Sequence, residues 1–205
     1  VMGLFTEHEL KSIELAVEKA ESSTDAEIVT VFARQADSYY YIPTLVASML
    51  ALISPWALLM TPLWLELFDL LFLQFLVFVV LAIVLRFRPV LSRLVPKFTR
   101  DKRSSLLARY QFLEQNLHTT ENNLGVLIFI CELERQVEIL VDHGIAGRID
   151  NSVWQKDIDK LTASIAAGEA FEGIMACLVD VGDQLAAEFP ATKEKSELCN
   201  KLVLI

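Results

Sequence analysis

The stretch "VVLAIVLRFRPVLSRLVPKFTRDKR", residues 79–103, passes from an unbroken apolar run to a cluster of cations between Leu85 and Arg86. Upstream, Phe68–Leu85 is interrupted only by Asp69 and Gln74. Before it, Ile42–Leu65, "IPTLVASMLALISPWALLMTPLWL", holds no charge at all. At about 1.5 Å rise per residue these stretches make roughly 24–36 Å of helix, against a bilayer hydrocarbon core of about 30 Å. A hairpin of two transmembrane helices over residues 41–86 is expected. The alternative is a pair of buried core helices, but a soluble domain rarely carries two adjacent long runs without alternating polarity. Pro55 must disturb the first helix, leaving a backbone group for Ser54 or the second span to satisfy.

Charge sets the orientation. Residues 86–103 contain Arg86, Arg88, Arg93, Lys97, Arg100, Lys102 and Arg103 against Asp101 alone, whereas "PLWLELFD" between the spans carries only Glu66 and Asp69. An excess of Lys and Arg beside a span marks the cytoplasmic side, so this end and, across two spans, residues 1–40 are both expected there. Tyr39, Tyr40, Tyr41 and Trp64 fall at the two ends of the first span, where amphipathic rings suit an interface. The basic cluster serves topology, and contact with anionic lipid headgroups would add to that role.

The remainder is acidic. A net charge of −9 persists although seven of the 18 basic residues sit beside the expected membrane, which argues against nucleic acid as a partner. Mean hydropathy of +0.43 and 54% apolar residues describe a mixture that the hairpin inflates. Cys131, Cys177 and Cys199 are odd in number and lack metal-ligand spacing, which suits a reducing compartment. Met2–Ala20 is charged and amphipathic, unlike a cleavable signal, so the first span is expected to direct insertion.

Outside the hairpin the periodicities are clear. Thr6 and Glu9 form a capping-box pattern ahead of a Leu10, Ile13, Val17, Ala20 stripe. "EIVTVFA" (27–33) is apolar on both faces and reads as a central strand. Leu106, Tyr110, Leu113 and Leu117 predict an amphipathic helix. "LGVLIFI" (124–130) and "QVEILV" (136–141) flank the turn "CELER", a β-hairpin pattern. Trp154, Ile158, Leu161 and Ile165 stripe a helix that Asn151 caps and Gly168 ends. Ile174, Leu178, Val181 and Leu185 stripe a last helix stopped by Pro190. Residues 1–40 are too few to bury their own strand, so 1–40 and 104–190 are expected to close into one α/β domain of roughly 140 residues. The membrane hairpin (41–86) and a basic juxtamembrane segment (87–103) are then inserted within it. The tail 191–205 is polar until "LVLI", for which the sequence suggests no role.

"TDAEIVTVFA" (24–33), "GVLIFI" (125–130), "ERQVEILVDHGI" (134–145), Trp154 and "GDQLAAEFP" (182–190) resemble the TPM domain, named for thylakoid-lumen, photosystem II repair and receptor-modulator proteins. The chain is similar in particular to the bacterial membrane-anchored branch. That resemblance implies an α/β/α sandwich, a place in the bacterial cytoplasmic (inner) membrane, and one of two roles. Plant members are associated with acid phosphatase activity and calcium binding; others act as accessory or assembly factors of membrane complexes. Where many relatives have Arg-Thr-Gly before the second strand, this chain has Asn123-Leu124-Gly125.

Motifs for chemistry are few. The chain has no "GxxxxGK", "HExxH" or "GxSxG". His8, His118 and His143 read as surface or capping residues, and Glu27 and Asp142 as solvated charges at strand edges. If the first two strands are parallel, their carboxyl ends bring Asp37 near Glu132, Glu134 and Arg135, at the end of the sheet where open α/β folds bind ligands. Three carboxylates of this kind suit Ca²⁺ or Mg²⁺, and Arg135 suits a phosphate or carboxylate. A solvated turn is the alternative. The two functions left open are a non-catalytic accessory factor that holds a membrane-protein partner and a membrane-tethered, cation-dependent phosphatase.

Overall fold

The computed structural model describes residues 5–60, 66–192 and 202–205. The chain divides into two compact units, 1–36 with 101–205 and, inserted between them, 37–100. Trp64 and Cys199 lie outside the described residues.

The first unit is a mixed α/β layer structure around a four-stranded sheet of order β3-β2-β1-β4. Its central strand β1 (Glu27–Ala33) is buried at every residue, as expected of a run apolar on both faces. Parallel to it lies β2 (Gly125–Cys131), which turns through 132–135 into antiparallel β3 (Gln136–Val141). The other edge is supplied by the tail: β4 (Val203–Leu204) pairs parallel with Val31 and Phe32, which gives "LVLI" a structural role.

Three helices line one face. In α1 (Glu7–Glu21) the Thr6–Glu9 capping box is complete, and Ile13 and Val17 are buried. Helix α7 (Asn151–Ala167) is capped by Asp150, whose carboxylate accepts the Ser152 N–H at 2.8 Å, so the cap falls one residue before the expected Asn151. Gly168 ends it in the left-handed conformation at φ 88°. Helix α8 (Ala170–Glu188) buries Ile174, Leu178, Val181 and Leu185 completely. They pack with Ile28, Phe32, Val126 and Ile128 in the larger core.

The opposite face carries Val29, Val31, Leu127 and Phe129 and is covered by α5 (Lys97–Glu114) and by Leu117 in a following 3-10 turn. Here the expected stripe is corrected. Leu106, Tyr110 and Leu113 are 50%, 58% and 55% exposed, while Ser104, Ala108 and Gln111 are buried. The two sets are two residues apart, roughly 200° around a helix of 3.6 residues per turn. Small side chains at 104 and 108 form the face that meets the sheet, and Leu107 and Phe112 pack beside them. The helix thus presents its small residues inward, which a search for large apolar residues overlooks.

Two local constraints hold the sheet ends. Gly125 stands against the Leu117 carbonyl so closely that a Cβ would lie 2.3 Å from that oxygen. At the edge, Ile205 accepts from the N–H of Arg34, just past β1, at 2.9 Å and donates to the Phe32 carbonyl at 3.0 Å. At the other end of the strand, the Glu21 carboxylate accepts the Ile28 N–H at 2.9 Å, taking the place of a strand partner there. Glu27 lies beside it. Glu21 and Glu27 are only 6% and 4% exposed, which corrects the solvated reading of Glu27. Burial, opposed by the Ile28 N–H and reinforced by Glu27, raises Glu21 to about 8.

In the second unit, α2 (Tyr41–Leu59) packs against α3 (Leu67–Val84), and a short α4 (Arg88–Leu94) follows. Pro43, Ala47 and Ala51 form the buried stripe of α2, small side chains of the kind that allow close helix contact in a membrane. Ser54 donates to the Ala51 carbonyl at 2.8 Å, the group that Pro55 deprives of its helical partner. Elsewhere the helices face outward: Trp56, Phe68 and Phe72 are 75%, 81% and 69% exposed, and α3 buries no residue. Both helices are long and apolar enough to cross a membrane.

Gly125→Ala should therefore destabilise the first unit by about 1–3 kcal/mol through overpacking. Gly147→Ala, where a Cβ meets nothing within 4 Å, should be near neutral in the same urea titration of the detergent-solubilised chain. Glu21 also gives a pH signature. Because its carboxyl titrates higher when folded (about 8) than when unfolded (near 4.5), its contribution is fully present below pH 4.5 and is lost as pH rises through 8. Glu21→Gln should flatten the thermal midpoint across that window and raise it at pH 8.5; an unchanged profile would refute the assignment.

Candidate functional site

Because β1 and β2 are parallel, their carboxyl ends share one end of the sheet, and the turn Glu132–Arg135 closes over it. Backbone bonds fix this turn. Arg135 N–H donates to the Glu132 carbonyl at 3.2 Å, while Glu132 and Leu133 donate to Ala33 and Arg34 at 2.9 and 3.2 Å.

The three charged side chains of the turn are put to different uses. Glu134 is buried and points inward: its Oε1 accepts the Ala36 N–H at 3.1 Å and its Oε2 accepts from the Cys131 thiol at 2.8 Å. It ties the segment after β1 to the hairpin. Glu132 is half-buried, and its Oε2 is a buried atom with no hydrogen-bond partner among the described residues. Arg135 is exposed and sits at φ 54°, a left-handed conformation more at home in glycine or asparagine. Asp37 belongs to the second unit. Among the described residues no group of three or more His, Cys, Asp or Glu side chains is arranged to hold a metal ion.

Next to the turn is a cavity of about 370 Å³, with Glu132, Arg135 and Val137 on one side and Thr162, Ile165 and Ala166 of α7 on the other. It joins one charge of each sign to an apolar wall. Periodicity cannot reveal this cavity, because α7 enters it from a distant part of the chain.

The remaining reactive groups have structural occupations. Burial, and then Glu134, push the Cys131 thiol well above its usual range, and burial pushes Cys177 up to about 12, so both are protonated and poorly nucleophilic at neutral pH. Asp142 caps the short helix α6 (His143–Ala146), accepting from the His143 N–H at 2.7 Å; its Oδ1 also lies 2.8 Å from His143 Nδ1. The His143 side chain is exposed, as are His8 and His118.

In the second unit Tyr40 and Tyr41 are exposed, and the Arg86 guanidinium lies 5.5 Å from the Tyr40 ring centroid. Arg93 is exposed near the end of α4, which Arg88 begins. Tyr39 departs from the expected interface role, being fully buried at φ 48°. A ring enclosed by protein cannot lie among headgroups.

Among family models, the TPM domain matches residues 94–184. None of the curated proteins compared matches the chain. Among solved structures, the chain is similar to the NMR structure of BA42 protein from the psychrophilic bacterium Bizionia argentinensis sp. nov. The likeness has a TM-score of 0.59 at 17% identity and covers 98% of this chain and 94% of that one. Identity at this level shows a common fold and nothing finer. From within α4 through most of α8 the chain therefore matches the TPM domain, in an α/β fold similar to that of BA42.

Proposed function

We propose that this chain is an integral protein of the bacterial cytoplasmic membrane, anchored by α2 and α3, and that its TPM domain works on the cytoplasmic side as a non-catalytic accessory or assembly factor for a membrane complex. The observation that carries this reading is the outward display of large apolar side chains along both hairpin helices, beside a domain of the TPM type. Such a continuous apolar surface is unfavourable in water and at rest in lipid or against the spans of a partner protein. The arginines at 86, 88 and 93 follow the second helix and favour the cytoplasm for the adjoining domain. The strongly shifted thiols and the structural uses of Glu134 and Asp142 support a binding role over a catalytic one.

One observation favours a second reading. The unpartnered Glu132 oxygen, in the same turn as Arg135, is compatible with a membrane-tethered phosphatase that uses Ca²⁺ or Mg²⁺ at Glu132, with Arg135 on the phosphate.

Topology and activity test these readings separately. Reporters fused after Pro190 and before Thr6 should both score cytoplasmic, and removing Arg86, Arg88 and Arg93 together should loosen that orientation; an external score at either end would sink the model. Phosphomonoester hydrolysis by the purified chain in detergent should stay at background with and without millimolar Ca²⁺ or Mg²⁺. Turnover that depends on the cation and disappears in Arg135→Lys, which cannot make the planar two-pronged contact, would establish the phosphatase instead.

A further inference from the structure

We propose that the cavity between the β2–β3 turn and the last turns of α7 binds a small zwitterion of the amino-acid class, with its ammonium group on Glu132 and its carboxylate on Arg135. The inference does not depend on the membrane role of the chain. Three observations converge on it. First, Glu132 lines the cavity and its Oε2 is buried without a donor, and an orphaned carboxylate oxygen calls for a hydrogen-bonding cation or a water. Neither Glu132 nor Arg135 has an ion-pair partner among the described residues, although both stand in one four-residue turn. Both residues line the cavity, and they form no ion pair with each other.

Second, Arg135 occupies a position at which its backbone is strained. A turn of this shape closes more favourably with glycine at φ 54°, so the side chain, not the backbone, is what makes arginine useful there. Its planar fork matches a carboxylate. Third, the cavity is small and its wall is partly apolar. About 370 Å³ lies near the lower end of small-molecule sites and does not suit a macromolecule. Val137, Ile165 and Ala166 offer contact to a short aliphatic portion, and Thr162 contributes a hydroxyl. The α7 wall comes from the carbonyl end of that helix, which favours the cationic half of the ligand. A simple anion would leave Glu132 facing it as a like charge, and a bare metal ion would be repelled by Arg135; a ligand of both signs uses the whole site.

The test is thermal unfolding of the full chain in detergent with millimolar glycine, L-alanine, L-glutamate or γ-aminobutyrate, each beside its N-acetylated and methyl-esterified form, and with phosphate or calcium alone. At least one free zwitterion should raise the midpoint saturably, and both blocked forms should bind at least tenfold more weakly. Glu132→Gln should abolish the shift. Arg135→Gly should raise the ligand-free midpoint, because the strained residue is gone, yet lose the response to ligand; this separates a binding role from a merely structural one. No shift from any zwitterion, or equal shifts from the blocked forms, would overturn the proposal. A shift from calcium alone that Glu132→Gln removes would replace it with a cation site. A shift from phosphate alone that Arg135→Gly removes would replace it with an anion site.

Discussion

The structure depends on the burial of β1. Every residue from Glu27 to Ala33 is enclosed, with helices on both faces and strands on both edges. None of this cover is local except α1. The neighbouring strand begins at Gly125, the main helices of one face lie between Asn151 and Glu188, and the second edge is supplied by Val203 and Leu204. Hydrophobic burial is favourable only if those segments arrive together, so the domain must close around an insertion of more than sixty residues. Closing a longer loop adds only a slowly growing entropy cost, and a hairpin with its own internal contacts adds less than a flexible chain would.

Polar groups inside the domain follow from that closure. The strand is longer than its edge partner, and the amide of Ile28 is served by the Glu21 carboxylate. That carboxyl is protonated through the neutral range, which is the less costly state for an acid buried beside a second acid. At the opposite end of the sheet, Glu134 does a comparable task for Ala36 and Cys131. These acids are part of the architecture. The side chains of Glu132 and Arg135, by contrast, have no hydrogen-bond or ion-pair partner among the described residues and border a cavity.

The second unit distributes its apolar surface differently. Its helix α2 hides small residues while both helices display large ones, the inverse of the domain, where Ile, Leu and Val are enclosed. Pro43, Ala47 and Ala51 are buried on α2, and Ser54 serves the carbonyl that Pro55 leaves without a helical partner; close backbone approach and satisfied carbonyls are what helix packing in lipid would require. The same chain therefore contains two solutions to the problem of apolar surface.

By itself the sequence determined the elements whose periodicity is unambiguous: the two long apolar helices, the central strand, the β2–β3 hairpin, and the helices striped by Trp154–Leu161 and Ile174–Leu185. It also carried the resemblance to the TPM domain, because ordered motifs survive without knowledge of contacts. What it left to tertiary structure shares one physical cause, that the deciding neighbour is met only when separate elements pack together. The inward face of α5 was set by small residues that meet the sheet, so Leu106, Tyr110 and Leu113 turned outward. Glu27 looked like a solvated charge until Glu21, the last residue of α1, was placed beside it. "LVLI" had no legible role because a two-residue strand exists only through its partner, β1. In the turn, adjacent residues with similar chemistry were sorted by what each met: Glu134 found a backbone amide and a thiol, and Glu132 found a cavity, which only the arrival of α7 creates.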